Sequence, residues 1–240
     1  MLSLPVSHLL FPSSCLFCQA MLEGADTGFC VACLDKIRPL SLDICSVCGV
    51  PMPKELVPGP CGQCLQDRPA QIATHSLYIY QGVVRDVVLS WKLQGQDAGV
   101  LWLLDVAVKR LRELISPNDL LLPVPMPLSR MRKQGQHHAA NLCRHIANHV
   151  GCDWDWKVLR RIGNQQRQSA LSGAQRQKNL RKAFVVDTDY WYQRESVAGR
   201  IWVIDDIITT GMTVHFASKA LGSIGNEIHV LSLTRTVKGG

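Results

Sequence analysis

Positive charge is absent from the start of the chain, where the first Lys or Arg is Lys36. A secretory signal needs a positively charged N-terminal region, so the mildly apolar segment 1–11 is not predicted to be one. The chain also lacks a run of about 18 uncharged apolar residues, the minimum for a membrane-spanning helix. With 47% hydrophobic and 19% charged residues, these absences predict a folded cytoplasmic protein without a membrane span.

Acidic residues are absent from two long stretches, 120–152 and 157–186, although the chain carries a net charge of +7. The ordinary explanation for either stretch is a solvated basic face. If the fold places two such stretches beside a phosphate-binding site, they favour binding of a polyanion, either pyrophosphate or nucleic acid.

Cysteine, in contrast, is abundant and regularly spaced. Eight of the ten cysteines form four CxxC pairs that recur every 15 or 16 residues: Cys15 and Cys18, Cys30 and Cys33, Cys45 and Cys48, Cys61 and Cys64. Two such pairs supply the four thiolates of a structural zinc, so the spacing predicts two zinc sites. Four disulfides are the alternative for a secreted protein, and the missing signal argues against them.

The zinc ligands can be paired in two ways. Adjacent pairs, with Cys15 to Cys33 on one ion and Cys45 to Cys64 on the other, close the shorter loops and cost less chain entropy. A cross-braced arrangement remains open. The module has few apolar residues to bury and should be unfolded without metal. It is either a docking or nucleic-acid-contacting ribbon or a structural lid on a larger domain.

The segment Asp67-Arg68-Pro69 marks a boundary, which predicts a double zinc ribbon at 1–68 and an α/β domain at 69–240. Strands are expected near residues 76, 121, 184, 201 and 229, and helices at 83–91, 99–115, 136–150 and 214–221. Strands with helices between several of them predict a five-stranded, mostly parallel, doubly wound sheet.

The most informative stretch is Ile201 to Thr213. Its apolar start reads as a buried strand that delivers Asp205 and Asp206 to the carboxyl edge of the sheet, where such sheets bind ligands. The following loop and helix start can direct backbone N–H groups and hydroxyls at a phosphate. A turn with a helix cap is the simpler alternative for two isolated acids.

The complete string resembles the phosphoribosyl pyrophosphate (PRPP) motif of type I phosphoribosyltransferases. The resemblance implies that Asp205 and Asp206 hold the ribose hydroxyls and are the catalytic residues. It also implies a set of contacts to the 5'-phosphate: Thr209, Thr210, Gly211, Met212 and Thr213.

Two further segments are candidates for holding the pyrophosphate. The loop after the strand near 121 carries Arg130, Arg132, Lys133 and Gly135. The segment 160–182, with Arg160, Arg161 and Arg176, has no apolar period and could close over a bound anion as a lid. His145 and His149 lie one helical turn apart, but no third metal ligand is evident in the sequence, which favours an ordinary half-exposed helix face.

The order of these motifs, together with Trp91-Lys92-Leu-Gln-Gly95 and Leu122-Pro-Val-Pro125, resembles the ComF family, which includes the GntX-like proteins. This resemblance spans about Cys15 to Arg235. It implies a phosphoribosyltransferase-like fold and a role in natural competence and DNA uptake. One departure is the string Gln134-Gly135-Gln136-His137-His138, where the family usually has Arg-Gly-Phe-Asn-Gln, so one cation is lost and two histidines are gained.

Two functions follow from the resemblance. In the first, the protein handles incoming single-stranded DNA at the cytoplasmic side, with a PRPP-binding site and a helicase-type DNA-uptake ATPase as a partner. In the second, it is an active phosphoribosyltransferase of nucleobase salvage, using magnesium-bound PRPP without contacting DNA. Both functions use the same anion site, and the acceptor base cannot be read from the sequence.

Overall fold

The computed structural model describes residues 14–22, 28–40, 43–127, 131–132, 135–162, 180, 182–194 and 197–237. The helices are α1 (Val31–Leu34), α2 (Gly62–Gln66), α3 (Gly82–Gln94), α4 (Ala98–Val106), α5 (Val108–Leu114), α6 (His138–Val150), α7 (Thr188–Gln193) and α8 (Met212–Leu221). The strands are β1 (Ala73–Ile79), β2 (Leu120–Pro123), β3 (Asp153–Trp154), β4 (Leu159–Arg161), β5 (Phe184–Val186), β6 (Ile201–Ile208) and β7 (Ile228–Arg235). Among the described helices, none is both long and apolar enough to cross a membrane.

A five-stranded parallel sheet forms the centre of the molecule, with the strand order β1-β7-β6-β2-β3. The central strand β6 pairs with β2 on one side and β7 on the other, and it contains the two acids. The predicted α/β class and the five-stranded doubly wound sheet are therefore confirmed.

Helices cover both faces of this sheet, as the alternation of side chains along β6 requires. Trp202 and Ile204 pack in a core with α3, α4, α5 and α6, whereas Ile201 and Val203 pack in a second core with α8 and the small β4 and β5 sheet. All four side chains are fully buried, and each contributes about 1.5–3 kcal/mol to folding.

The strand near residue 184 was expected in the main sheet, and that prediction is wrong. β5 instead forms a separate antiparallel pair with β4. The fifth place in the main sheet is taken by β3, which follows α6 through Gly151, a left-handed residue that ends the helix. A short β2-α6-β3 crossover places consecutive elements side by side, so β3 is the natural neighbour of β2.

Two other boundaries also differ from the prediction. The expected single helix at 99–115 is two helices, because the backbone at Ala107 leaves the helical region (φ −82°, ψ 1°) between α4 and α5. Strand β6 does not end before the acids but continues to Ile208, since residues 205–208 still pair with β7.

The zinc-ribbon segment packs on the α/β domain. Cys15, Phe29 and Cys33 belong to the core that covers one face of the sheet. Next to this cluster, the Leu40 N–H donates to the Leu77 carbonyl (3.0 Å), which extends the edge of the sheet at β1.

The second half of the ribbon also touches the sheet. Arg235, at the end of β7, donates to the Cys48 carbonyl (2.7 Å). Gly49 has φ +69°, and a Cβ there would lie 2.3 Å from the Thr74 carbonyl oxygen. Only glycine allows the ribbon backbone to approach β1 so closely.

Candidate anion site at the sheet edge

Asp205 and Asp206 lie next to each other in β6, both partly buried. The Asp206 N–H donates to the Asp205 carboxylate (2.9 Å), which fixes one side chain against the backbone of the other. Burial and the neighbouring charge of Asp206 raise the pKa of Asp205 to about 7. The site therefore holds two carboxylates whose negative charges repel each other, and such perturbed acids are typical of ligand-binding and catalytic sites.

Lys92 neutralises one of these acids. It lies in the last turn of α3, and its Nζ forms an ion pair with Asp206 Oδ2 at 2.7 Å, with side chains only 22% and 15% exposed. The helix predicted at 83–91 ends before this lysine, for which the sequence indicated no role. Lys92 and Asp206 are far apart in the chain, so no spacing pattern predicts their contact. Only the place of Lys92 in the motif Trp91 to Gly95 pointed to this residue.

The predicted phosphate loop follows the acids directly. β6 ends at Ile208 and α8 begins at Met212, so the exposed Thr209 and Thr210 and the left-handed Gly211 (φ +76°) form the connection. Among the described residues, no side chain caps the N-terminus of α8. Its first N–H groups and the positive end of its dipole are thus available to an anion.

Met212 and Thr213, the remaining members of the predicted set, form the first turn of α8 and are half-buried. Apart from its chain neighbours and the backbone of α8, no atom of the described residues lies within 4 Å of where a Cβ on Gly211 would stand. The structure therefore gathers all seven residues of the motif into one strand end, loop and helix start.

The loop after β2 starts beside the acids. β2 pairs with β6 so that Pro123 lies opposite Ile204, and the Val124 N–H donates to the Ile204 carbonyl (2.9 Å). Arg132 is exposed, and Gly135 adopts φ +66°. Arg130 and Lys133 lie outside the described residues.

The two arginines at the start of the predicted lid have different surroundings. Arg160 forms an ion pair with Asp187. Arg161 lies over the Phe184 ring (5.3 Å to the centroid), and its charge acts to lower the pKa of Asp205 against the effect of burial. Arg161 is thus electrostatically coupled to the acids, whereas Arg160 is held by another carboxylate. Arg176 and residues 163–179 of the lid lie outside the described residues.

Residues 134–138, where the chain differs from the ComF motif, also interact electrostatically with the acid pair. The ring of His137 caps α6 by accepting a hydrogen bond from the Ala140 N–H (3.1 Å). Burial lowers the pKa of His137, although the charge of Asp206 acts in the opposite direction. His138 is 3% exposed and meets the Trp91 ring edge-on at 4.5 Å. The two histidines therefore start and anchor a helix, and at pH 7 His137 adds no full positive charge.

The cysteine pairs form the two predicted zinc sites. The sulfur atoms lie within 4.8 Å of one another in two groups, Cys15, Cys18, Cys30 and Cys33, and Cys45, Cys48, Cys61 and Cys64. This is the adjacent pairing. The Cys18 to Cys30 and Cys48 to Cys61 sulfur distances are 3.6 and 3.8 Å, close to the roughly 3.8 Å expected for tetrahedral zinc with bonds of about 2.3 Å.

One thiol of each group is already prepared to lose its proton. Burial raises the pKa of Cys45, but the N–H groups of Cys48, Cys61 and Val47 outweigh it and lower the pKa to about 6. Backbone N–H groups likewise outweigh burial at Cys15 and lower its pKa to about 6. These N–H groups favour the thiolate, which is the form that binds zinc.

Comparison with known proteins agrees with this assignment. Residues 6–65 match the model of the family described as the double zinc ribbon domain.

Relatives match nearly the whole chain. A DNA utilization protein YhgH of Salmonella typhimurium is 28% identical over 95% of this chain and 100% of its own. Competence protein F of Haemophilus influenzae is 28% identical over 94% of this chain and 98% of its own. Competence protein ComFC of Bacillus subtilis is 26% identical over 87% of this chain and 84% of its own. The resemblance predicted from the order of motifs is thus confirmed over most of the chain.

Proposed function

We propose that this chain, a homologue of the ComF competence proteins, serves in the uptake or utilisation of DNA and carries a PRPP-binding site. The observation that supports the site most strongly is the direct succession, at one sheet edge, of two carboxylates, an open glycine loop and an uncapped helix N-terminus. These are the groups that the hydroxyls and the 5'-phosphate of a phosphorylated ribose require.

Each group has a separate role in this proposal. Asp205 and Asp206 accept hydrogen bonds from the ribose hydroxyls, and the loop 209–213 donates N–H groups and hydroxyls to the 5'-phosphate. Arg130, Arg132 and Lys133 are assigned to the pyrophosphate by their positive charge. A Mg²⁺ ion that arrives with PRPP supplies further positive charge to the pyrophosphate. Lys92 keeps the two acids together while the site is empty.

The same surface also suits single-stranded DNA. Trp156 is 60% exposed; it lies between the edge strand β3 and β4 and is followed directly by the exposed Lys157. An exposed indole beside a cation is the combination on which proteins stack unpaired bases while neutralising the phosphates. The chain continues from there to Arg161, which is coupled to the acid pair.

Binding of a fluorescent oligothymidylate, titrated at several salt concentrations, tests the DNA role. Wild-type affinity should fall steeply with added salt. Trp156→Ala should weaken binding at least about fivefold, because stacking contributes about 1–3 kcal/mol per base, without changing the salt slope. Val106→Ala, which shortens another exposed apolar side chain, is the control. A flat salt response, or equal affinities for the two variants, would contradict DNA binding at this surface.

An active phosphoribosyltransferase of nucleobase salvage is the second candidate. It is favoured by the acid pair, because a carboxylate cluster at a sheet edge can stabilise the positive charge that develops on the sugar when pyrophosphate departs. Pyrophosphate release from PRPP, measured with a panel of nucleobases, separates the two functions. Turnover with one base would support the transferase, whereas retained DNA binding without turnover would support a binding protein.

A further inference from the structure

Three side chains from two helices converge on the face of the sheet where α4 and α6 pack. His145 and His149 are one turn apart in α6, and Asp105 is in the last turn of α4. The Asp105 Oδ1 atom lies 2.9 Å from His145 Nε2 and 2.8 Å from His149 Nε2, and the two Nε2 atoms are 3.1 Å apart. The third ligand that the sequence did not reveal is therefore present.

Hydrogen bonds alone do not account for this triangle. Each Nε2 carries at most one hydrogen, and the carboxylate carries none when ionised. If both rings donate to Asp105, the two donor nitrogens stand 3.1 Å apart with no hydrogen bond between them. If one ring donates to the other, the Nε2 atom of the acceptor ring has no hydrogen and cannot donate to the carboxylate. Its nitrogen and the Asp105 oxygen would then be two acceptors less than 3 Å apart. A cation at the centre of the three atoms removes this conflict.

The spacing also fits a coordinated metal. Bonds of about 2.1 Å at the right angles of an octahedral ion place neighbouring ligand atoms about 3.0 Å apart, which matches the three distances above, whereas tetrahedral bonds of that length would place them about 3.4 Å apart. Two imidazoles at i and i+4 with one carboxylate are the donor set of first-row transition metals, since Mg²⁺ and Ca²⁺ prefer oxygen ligands.

We propose that Asp105, His145 and His149 bind a divalent transition metal ion that takes octahedral coordination, such as Ni²⁺. This site is independent of the Cys₄ sites and of the anion site. The three side chains are 24–52% exposed, so an ion can reach them from solvent. His145 also lines a cavity of about 310 Å³ beside the three side chains.

A bound ion would fasten α4 to α6. Apart from packing, the two helices are joined by the Asp105 contacts to His145 and His149. The ion should therefore stabilise the fold in proportion to its concentration relative to Kd.

Calorimetric titration of the untagged full chain, with its Cys₄ sites filled with Zn²⁺, tests the proposal with Ni²⁺ as the probe. The wild type should bind one Ni²⁺ per chain, and its thermal midpoint should rise. His149→Ala and Asp105→Asn should each weaken binding at least tenfold and abolish the thermal shift. Far-UV circular dichroism checks that these variants fold.

Glu113→Gln is the matched control, because it neutralises an exposed carboxylate on the adjacent α5, and it should bind as the wild type does. The proposal would be overturned if the wild type did not bind Ni²⁺. It would also be overturned if His149→Ala and Asp105→Asn bound Ni²⁺ as strongly as the wild type does.

Discussion

At the scale of single residues, the pair Asp205 and Asp206 lowers the free energy of unfolding of the ligand-free protein. Asp205 is close to Asp206 and partly buried, and burial raises its pKa to about 7. An Asp in the unfolded chain has a pKa of about 3.9. As the pH rises from about 4 to about 7, the unfolded chain therefore loses this proton before the folded protein does, and the free energy of unfolding falls. Above pH 7 this decrease is fully present.

Asp205→Asn should therefore stabilise the ligand-free protein at pH 8 by about 1–2 kcal/mol and have little effect at pH 4.5. The full shift of pKa would correspond to about 4 kcal/mol at 1.36 kcal/mol per pH unit, and solvent screening of this partly exposed group reduces it. Urea unfolding at the two pH values measures the difference. An equal change at both pH values would contradict the assignment.

Lys92 should be energetically coupled to Asp206. Because the ion pair is largely buried, Lys92→Met leaves two carboxylates without their counter-ion and should lower the free energy of unfolding by about 1–3 kcal/mol at pH 8. In a double-mutant cycle with Asp206→Asn, the loss should be mostly recovered, with a coupling energy of about 1 kcal/mol or more.

The exposed pair Arg110 and Glu113 (3.3 Å) is the matched control for this cycle, and its coupling should stay below about 0.5 kcal/mol. Equal coupling energies for the two pairs would show that Lys92 is an ordinary surface lysine.

At the scale of elements, the zinc ribbons differ in how they meet the domain. The first Cys₄ group contributes Cys15 and Cys33 to the core that packs on the sheet. The second has its own small cluster around Cys45 and Val47 and reaches the sheet mainly through backbone contacts. The first ribbon is thus part of the domain core, and the second is attached to its edge.

Cys18→Ser and Cys48→Ser, which change the same position of the two repeats, should therefore have unequal effects. Cys18→Ser should lower the thermal midpoint of the α/β domain by about 3–6 °C more than Cys48→Ser, because loss of the first zinc exposes core surface. Tryptophan fluorescence during heating reports on the core through Trp91 and Trp202. Equal shifts would contradict this difference.

The elements also show how far the sequence could lead. The apolar run before Asp205 and the glycine loop after it identified β6 and α8, because a buried strand and a helix start have local signals. β3 has only two residues, and the break at Ala107 has no proline or glycine to mark it. Both are decided by packing between elements, which short sequence patterns do not encode.

The same reasoning applies to the candidate site. The acids and loop of the proposed anion site, and likewise the zinc ligands, are close in sequence; the resemblance indicated the former, and the CxxC spacing predicted the latter. Lys92 lies more than a hundred residues before Asp206, and Asp105 lies 40 residues before His145. Their meeting depends on how α3, α4 and α6 pack on the sheet, and no spacing rule indicates it.

At the scale of the whole molecule, the parallel sheet brings the elements of the proposed anion site to one edge. β6 carries the acids and leads into the proposed phosphate loop, and the neighbouring β2 leads into the loop with Arg132. In the proposed DNA role, Trp156 and Lys157 extend this surface beyond the edge strand β3. A protein that responds to a phosphoribosyl ligand while holding DNA would need these two surfaces to be adjacent.

The central claim is that the edge of the sheet at β6 binds PRPP, and calorimetric titration of the zinc-loaded chain with PRPP and Mg²⁺ tests it directly. The wild type and the control Glu227→Gln, which changes an exposed acid at the opposite end of the sheet, should bind one PRPP per chain. The double variant Asp205→Ala with Asp206→Ala should show no binding. Binding of PRPP by the double variant with wild-type affinity, or its absence in the wild type, would contradict the account.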